Sequence, residues 1–83
     1  MDVATKAEID LRISMARARY GELASTHEAL GVACEEWDEF RAAIHQNDMS
    51  AVQKEALDLA AILIRLAEQL HSGDQRLIQR STK

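Results

Sequence analysis

The 83-residue chain has no proline, a single cysteine, three glycines and one each of tryptophan, tyrosine and phenylalanine. With so few breakers there is little to interrupt helices or to supply the turns of an all-β domain. Cys34, being alone, cannot staple the fold internally. It falls on an apolar helical stripe with Leu30, Trp37 and Ile44 and reads as a packing residue. Basic runs are absent as well. The ten Lys and Arg residues are scattered among 14 acidic ones and the net charge is −4, which argues against a nucleic-acid surface, because phosphate contacts need clustered cations. No apolar run reaches the ~20 residues of a membrane span, and Met1-Asp2-Val3-Ala4-Thr5-Lys6 lacks the pattern of a signal peptide. The expectation is a cytoplasmic protein with no membrane partner. A chain this short makes one domain, residues 1–83, and buries only about 60% of the surface its unfolded form exposes.

What remains is strong three-to-four-residue periodicity, the mark of an all-α fold. The spacing predicts a first helix over about 4–20, ending near Gly21. A second starts at the capping box Ser25-Thr26-His27-Glu28 and runs to about Gln46. A third runs from about Ser50, with Ser50 and Gln53 as another S-x-x-Q cap, to His71, with Gly73 ending it. Residues 74–83 form a polar tail with at most a short turn of helix. Within the third helix, segment 56–67 is apolar on every side except at Asp58 and Arg65, as in a buried helix. Two partner helices cannot cover it on all sides, so a homodimer or homotetramer is expected, with Leu11, Met15, Leu57 and Ile64 as interface or core.

Glu35-Glu36-Trp37-Asp38-Glu39 and Glu55-Ala56-Leu57-Asp58 carry the chemistry. On helices, Glu36/Glu39 and Glu55/Asp58 are each three residues apart and share a face. Two such pairs make a nest of hard oxygen ligands suited to Mg²⁺ or Mn²⁺. An aspartate in an apolar helix costs several kcal/mol unless paired, hydrogen-bonded or bound to metal. Glu36 falls within the stripe Ala29, Val32, Phe40, Ala43, with Glu39 at its edge, whereas Glu35 and Asp38 point away.

This pattern resembles the EExxE…ExxD signature of the MazG-like all-α nucleoside triphosphate pyrophosphatases, and Tyr20-Gly21-Glu22-Leu23-Ala24-Ser25-Thr26-His27-Glu28-Ala29-Leu30-Gly31-Val32 resembles the lead-in to the first motif in small phage- and mobile-element-borne members. The resemblance spans about residues 20–70. Trp37 and Asp38 fill variable positions, and the chain is at the short end for the family. The resemblance implies that Glu36, Glu39, Glu55 and Asp58 hold the metal and that Glu35 is either a ligand or a base orienting water. It also implies three main helices assembled as a four-helix bundle between subunits.

The implied activity is Mg²⁺-dependent hydrolysis of a (d)NTP to the monophosphate and pyrophosphate, as nucleotide-pool housecleaning. Phosphoribosyl-ATP hydrolysis and a non-enzymatic helical oligomer, adaptor- or antitoxin-like, are the alternatives. Lys54 is the first candidate for a phosphate-facing cation and Arg65 the second. Either could instead be ordinary, Lys54 as a solvated lysine and Arg65 as an interface ion pair. Trp37, Phe40 or Tyr20 could stack a nucleobase, although Trp37 and Phe40 are residues more often found in the core than in a pocket. His27 is either a substrate contact or a plain helix-terminus histidine. His45 and His71 lack the i, i+4 pairing of a zinc site.

Overall fold

A computed structural model of the chain describes residues 1–74 and Leu77. Three helices account for most of it: α1 (Val3–Tyr20), α2 (Thr26–His45) and α3 (Met49–His71). Among the described residues there is no strand, and no helix is long and apolar enough to cross a membrane.

Each helix starts where a side chain can take up its orphan N–H groups. Asp2 accepts from the Thr5 amide and opens α1. Ser25 accepts from the Glu28 amide, as its capping box predicts, but Glu28 reaches back to the Ala24 amide, one residue before the cap. The expected Ser50/Gln53 cap does not form. Asp48 accepts from the Ala51 amide instead, and α3 begins at Met49. The preceding turn explains the shift. Asn47 takes φ 56°, the Asn47 amide donates to Ile44 O and the Asp48 amide to Ala43 O, which is the Schellman closure of α2. Asp48 thus ends one helix and starts the next, leaving Ser50 already inside α3.

So short a connection makes α2 and α3 antiparallel neighbours. Along α3, Leu59, Ile62 and Leu66 meet Leu23, Ala29, Val32 and Ala33. Leu57, Ala60, Ala61 and Ile64 meet Ile9 and Ile13 of α1. At 3.6 residues per turn these two stripes lie about 180° apart, so α1 and α2 flank α3 on opposite sides and scarcely touch each other. The result is elongated, 41 × 27 × 23 Å with a radius of gyration of 13.7 Å, against roughly 12 Å for a compact chain of this length.

Two faces of α3 are left over. One is apolar and open: Leu63 is 51% exposed and Leu70 is exposed beside it. The apolar run therefore does not make α3 buried all round within one chain. On α2 the stripe of Leu30, Cys34, Trp37 and Ile44 also faces outward, so Cys34 is not the packing residue its position suggested. Of the four expected interface positions, Leu11 and Met15 are exposed, while Leu57 and Ile64 pack within the chain. The tail needs a correction too. Leu77 is helical and fully buried, a core residue in a segment read as polar and fraying; residues 75, 76 and 78–83 lie outside the described residues.

The α1–α2 connection is fastened to α3 by two buried polar side chains. Gln69, 2% exposed, accepts from the Leu23 amide at 3.0 Å and donates to the Leu23 carbonyl at 2.6 Å, pairing both backbone groups of a core residue. Arg65 donates to the Gly21 carbonyl. Gly21 takes φ 76°, a left-handed conformation that suits glycine as the chain leaves α1. Replacing Gln69 with Leu strands both groups of Leu23, so Gln69→Leu is expected to destabilise the fold by about 3 kcal/mol, read as a lower urea midpoint with an unchanged slope.

Candidate metal centre

The hairpin register brings the acidic residues together. In an antiparallel helix pair, residues equidistant from the turn lie opposite each other. Glu39 and Glu55 each stand eight positions from Asn47, and Glu36 and Asp58 each stand eleven. The structure closes the first tier and half of the second: one carboxylate oxygen from each of Glu36, Glu39 and Glu55 lies within 4.8 Å of the other two. Asp58 stays outside this group.

Glu55 is 8% exposed. Its Oε1 accepts from Lys54 Nζ at 2.9 Å, while its Oε2 is buried with no hydrogen-bond partner, as is Oε2 of Glu36. Such orphaned oxygens are costly in a folded protein. The proton affinities record the strain. Burial, and next the charges of Glu39, Asp58 and Glu55, push the Glu36 carboxyl up to about 7. Glu39 is raised by a hydrogen bond with the Glu55 carboxyl and by its charge. Both shifts favour the protonated form of Glu36 and Glu39. Three convergent carboxylates, two of them with an unpaired buried oxygen, are the donor set a hard divalent ion takes, so these residues fit Mg²⁺ or Mn²⁺.

Asp58 is half-buried on the face of α3 that lies between α1 and α2. Both its oxygens are engaged: Oδ1 accepts from Arg12 Nε at 2.8 Å and Oδ2 from Lys54 Nζ at 3.1 Å. Arg12 also pairs with Glu8 one turn earlier on α1. The Lys54 ammonium is held charged by its hydrogen bonds to Glu55 and Asp58. Lys54, 64% exposed at its side chain, thus touches the acidic group rather than standing free in solvent.

From this centre a cleft of about 960 Å³ runs between α1 and α2, with α3 as its floor. Arg12, Glu36 and Asp58 line one end; Tyr20, Leu23 and Arg65 line the other. Eight residues of α1 separate Arg12 from Tyr20, a length of about 12 Å. The volume is in the range of small-molecule sites. Glu35, exposed as its outward position predicts, is also at the wall.

Other expected positions lie elsewhere. His27 is exposed and does not line the cleft. Trp37, 49% exposed, packs at a tilt against Phe40 with ring centroids 5.7 Å apart, on the side of α2 away from the cleft. Arg65 is buried, with its Nε unpaired. Arg12 and Arg19 were not singled out from sequence. Arg12 reaches the site from a helix 46 residues away along the chain, and nothing local marks it. Arg19 lies over the Tyr20 ring at 5.3 Å, a neighbouring pair that an Arg-Tyr dipeptide at a helix end could have suggested.

The raised Glu36 carboxyl has a definite effect on stability. Its pKa is higher in the folded state, so its contribution is fully present below the ordinary value of 4.5 and is lost as pH rises through about 7. Metal-free protein in chelator is expected to melt at a higher temperature at pH 5 than at pH 8, the difference shrinking in Glu36→Gln, and Mg²⁺ is expected to recover the loss at pH 8. Equal pH dependence in wild type and Glu36→Gln would contradict the assignment.

No protein-family model matches the chain, and comparison with curated proteins and with solved structures finds no significant similarity.

Proposed function

We propose that the protein is a divalent-metal-dependent pyrophosphohydrolase that converts a nucleoside triphosphate to its monophosphate and pyrophosphate, serving to clear unwanted nucleotides. The observation that carries this reading is the convergence of Glu36, Glu39 and Glu55, the first and last each with a buried unpaired oxygen, beside a nucleotide-sized cleft that Glu36 lines. When bound, Mg²⁺ supplies charge neutralisation to the triphosphate and acidifies water.

The chain's own residues do the rest. Glu36, Glu39 and Glu55 would hold the ion, and Asp58 stands beside them as a fourth carboxylate. Glu35, at the cleft wall but outside the cluster, accepts the proton of the water whose oxygen bonds to the α-phosphorus. The bond from that phosphorus to the bridging oxygen breaks, and pyrophosphate leaves. Lys54 and Arg12 face the phosphates. Tyr20, with Arg19 over its ring, offers the far end of the cleft a stacking surface for a base, a role its position suits better than that of Trp37. Arg65 fastens the wall behind it. Phosphoribosyl-ATP calls for the same chemistry and is separated only by substrate choice.

The uncovered apolar strips on α2 and α3 support self-association into a bundle between subunits. Light scattering of the double variant Leu30→Lys with Trp37→Lys is expected to show a smaller particle that keeps its helicity; an unchanged mass would exclude α2 from the contact.

Activity is tested with a panel of nucleoside triphosphates and phosphoribosyl-ATP. Pyrophosphate release is expected with Mg²⁺ or Mn²⁺, little with Ca²⁺, whose longer and looser coordination misplaces the attacking water, and none in chelator. Glu55→Gln is expected to fall to the chelated rate while remaining folded. Metal-independent turnover, or full activity in Glu55→Gln, would refute the reading.

A further inference from the structure

The pairing of Asp58 points beyond the site as described. Four carboxylates, Glu36, Glu39, Glu55 and Asp58, meet two tethered cations, Arg12 and Lys54. Fully ionised, these six groups carry two surplus negative charges, and Glu8, which also pairs with Arg12, adds a third, an excess that a divalent ion would reduce. Within it the cations are not shared evenly. Both bind Asp58, one to each oxygen, at 2.8 and 3.1 Å, and the three glutamates converge without it. Glu55, more than nine-tenths buried, still has an unpaired oxygen in that cluster.

We propose that Arg12 and Lys54 form a phosphate subsite that Asp58 fills when no substrate is bound, and that phosphate exchanges places with Asp58. On arrival a phosphate group takes the guanidinium and the ammonium, for which its oxygens are good acceptors. Asp58, deprived of both partners, is an uncompensated half-buried carboxylate. The remaining cation for it is the metal beside Glu55, one helical turn away on the same face. Phosphate and metal then bind cooperatively, each removing the cost of the other. The two cations reach the site from different directions. Arg12 comes from α1 and lines the cleft, whereas Lys54 lies on α3 with an exposed side chain. A phosphate seated between them bridges cleft and metal. This inference rests on the metal-site reading given above and adds to it an anion site and the coupling between the two.

The experiment measures Mn²⁺ binding by calorimetry at buffered free Mn²⁺, with and without inorganic pyrophosphate, and needs no turnover. Wild type is expected to bind Mn²⁺ about tenfold more tightly when pyrophosphate is present, within the usual range of coupling between sites. Asp58→Asn is expected to bring that ratio close to one. Lys54→Met, at an exposed position that leaves the core alone, is expected to tighten Mn²⁺ binding without pyrophosphate, because it removes the ammonium that competes at Glu55. Circular dichroism confirms that each variant is helical. If folded wild type binds Mn²⁺ with the same Kd in both conditions, the exchange is overturned and the metal site stands. If Mn²⁺ binds in neither condition, the metal-site reading itself fails, and the exchange with it.

Discussion

A buried carboxylate with one oxygen unpaired is expensive, and Glu55 is such a group. Much of the site can be understood as a response to it. Lys54, its neighbour in sequence, folds back to cover one oxygen. The proton affinities of Glu39 and Glu36 are both raised in the company of Glu55. Arg12 draws Asp58 toward α1, away from the other acids. Each adjustment lowers local repulsion, and none supplies a partner for Glu55 Oε2. A small hydrophobic fold with no use for this charge would do better with an apolar side chain there. Its presence is therefore a property of the site rather than of the fold.

The framework that carries this strain is slight. Two small clusters on opposite faces of α3 form much of the core, and several of their members are alanines. Small side chains let the helices approach closely but bury little area, so each contributes less than a leucine would. Buried polar bonds share the task of positioning: Gln69 and Arg65 tie the α1–α2 connection to α3, and Arg12 ties α1 to Asp58. The arrangement holds α1 and α2 apart on either side of α3, and that separation is what leaves room for the cleft.

Charge and geometry are linked in the same way. The acidic centre sits where α2 and α3 leave their shared turn, and the cleft opens from it along α3. The cations at its walls are Arg12 and Arg19 of α1 and Arg65 of α3. A ligand lying along the cleft would meet Arg12, Glu36 and Asp58 at one end and Tyr20, Arg19 and Arg65 at the other.

Much of this was legible in the sequence for local reasons. Absence of proline and the 3.6-residue period determined three helices, with ends within a residue or two of those observed, because capping and periodicity act over a single turn. The same period placed Glu36 on the buried stripe and Glu35 and Asp38 outside it. The near-symmetric spacing of the acids about Asn47 encoded their meeting, given an antiparallel pair. Other features depended on the tertiary structure. Whether the Leu30–Cys34–Trp37 stripe and the back of α3 are covered depends on where α1 lies, and α1 took the opposite side of α3 from α2. Which carboxylate stays out of the cluster depends on Arg12, 46 residues away along the chain from Asp58. Leu77 became a core residue although it lies in a mostly polar stretch of sequence. Patterns along one helix state which face is apolar. Only the packing of helices states what each face meets, because that depends on the angles and spacings at which separate elements settle against one another.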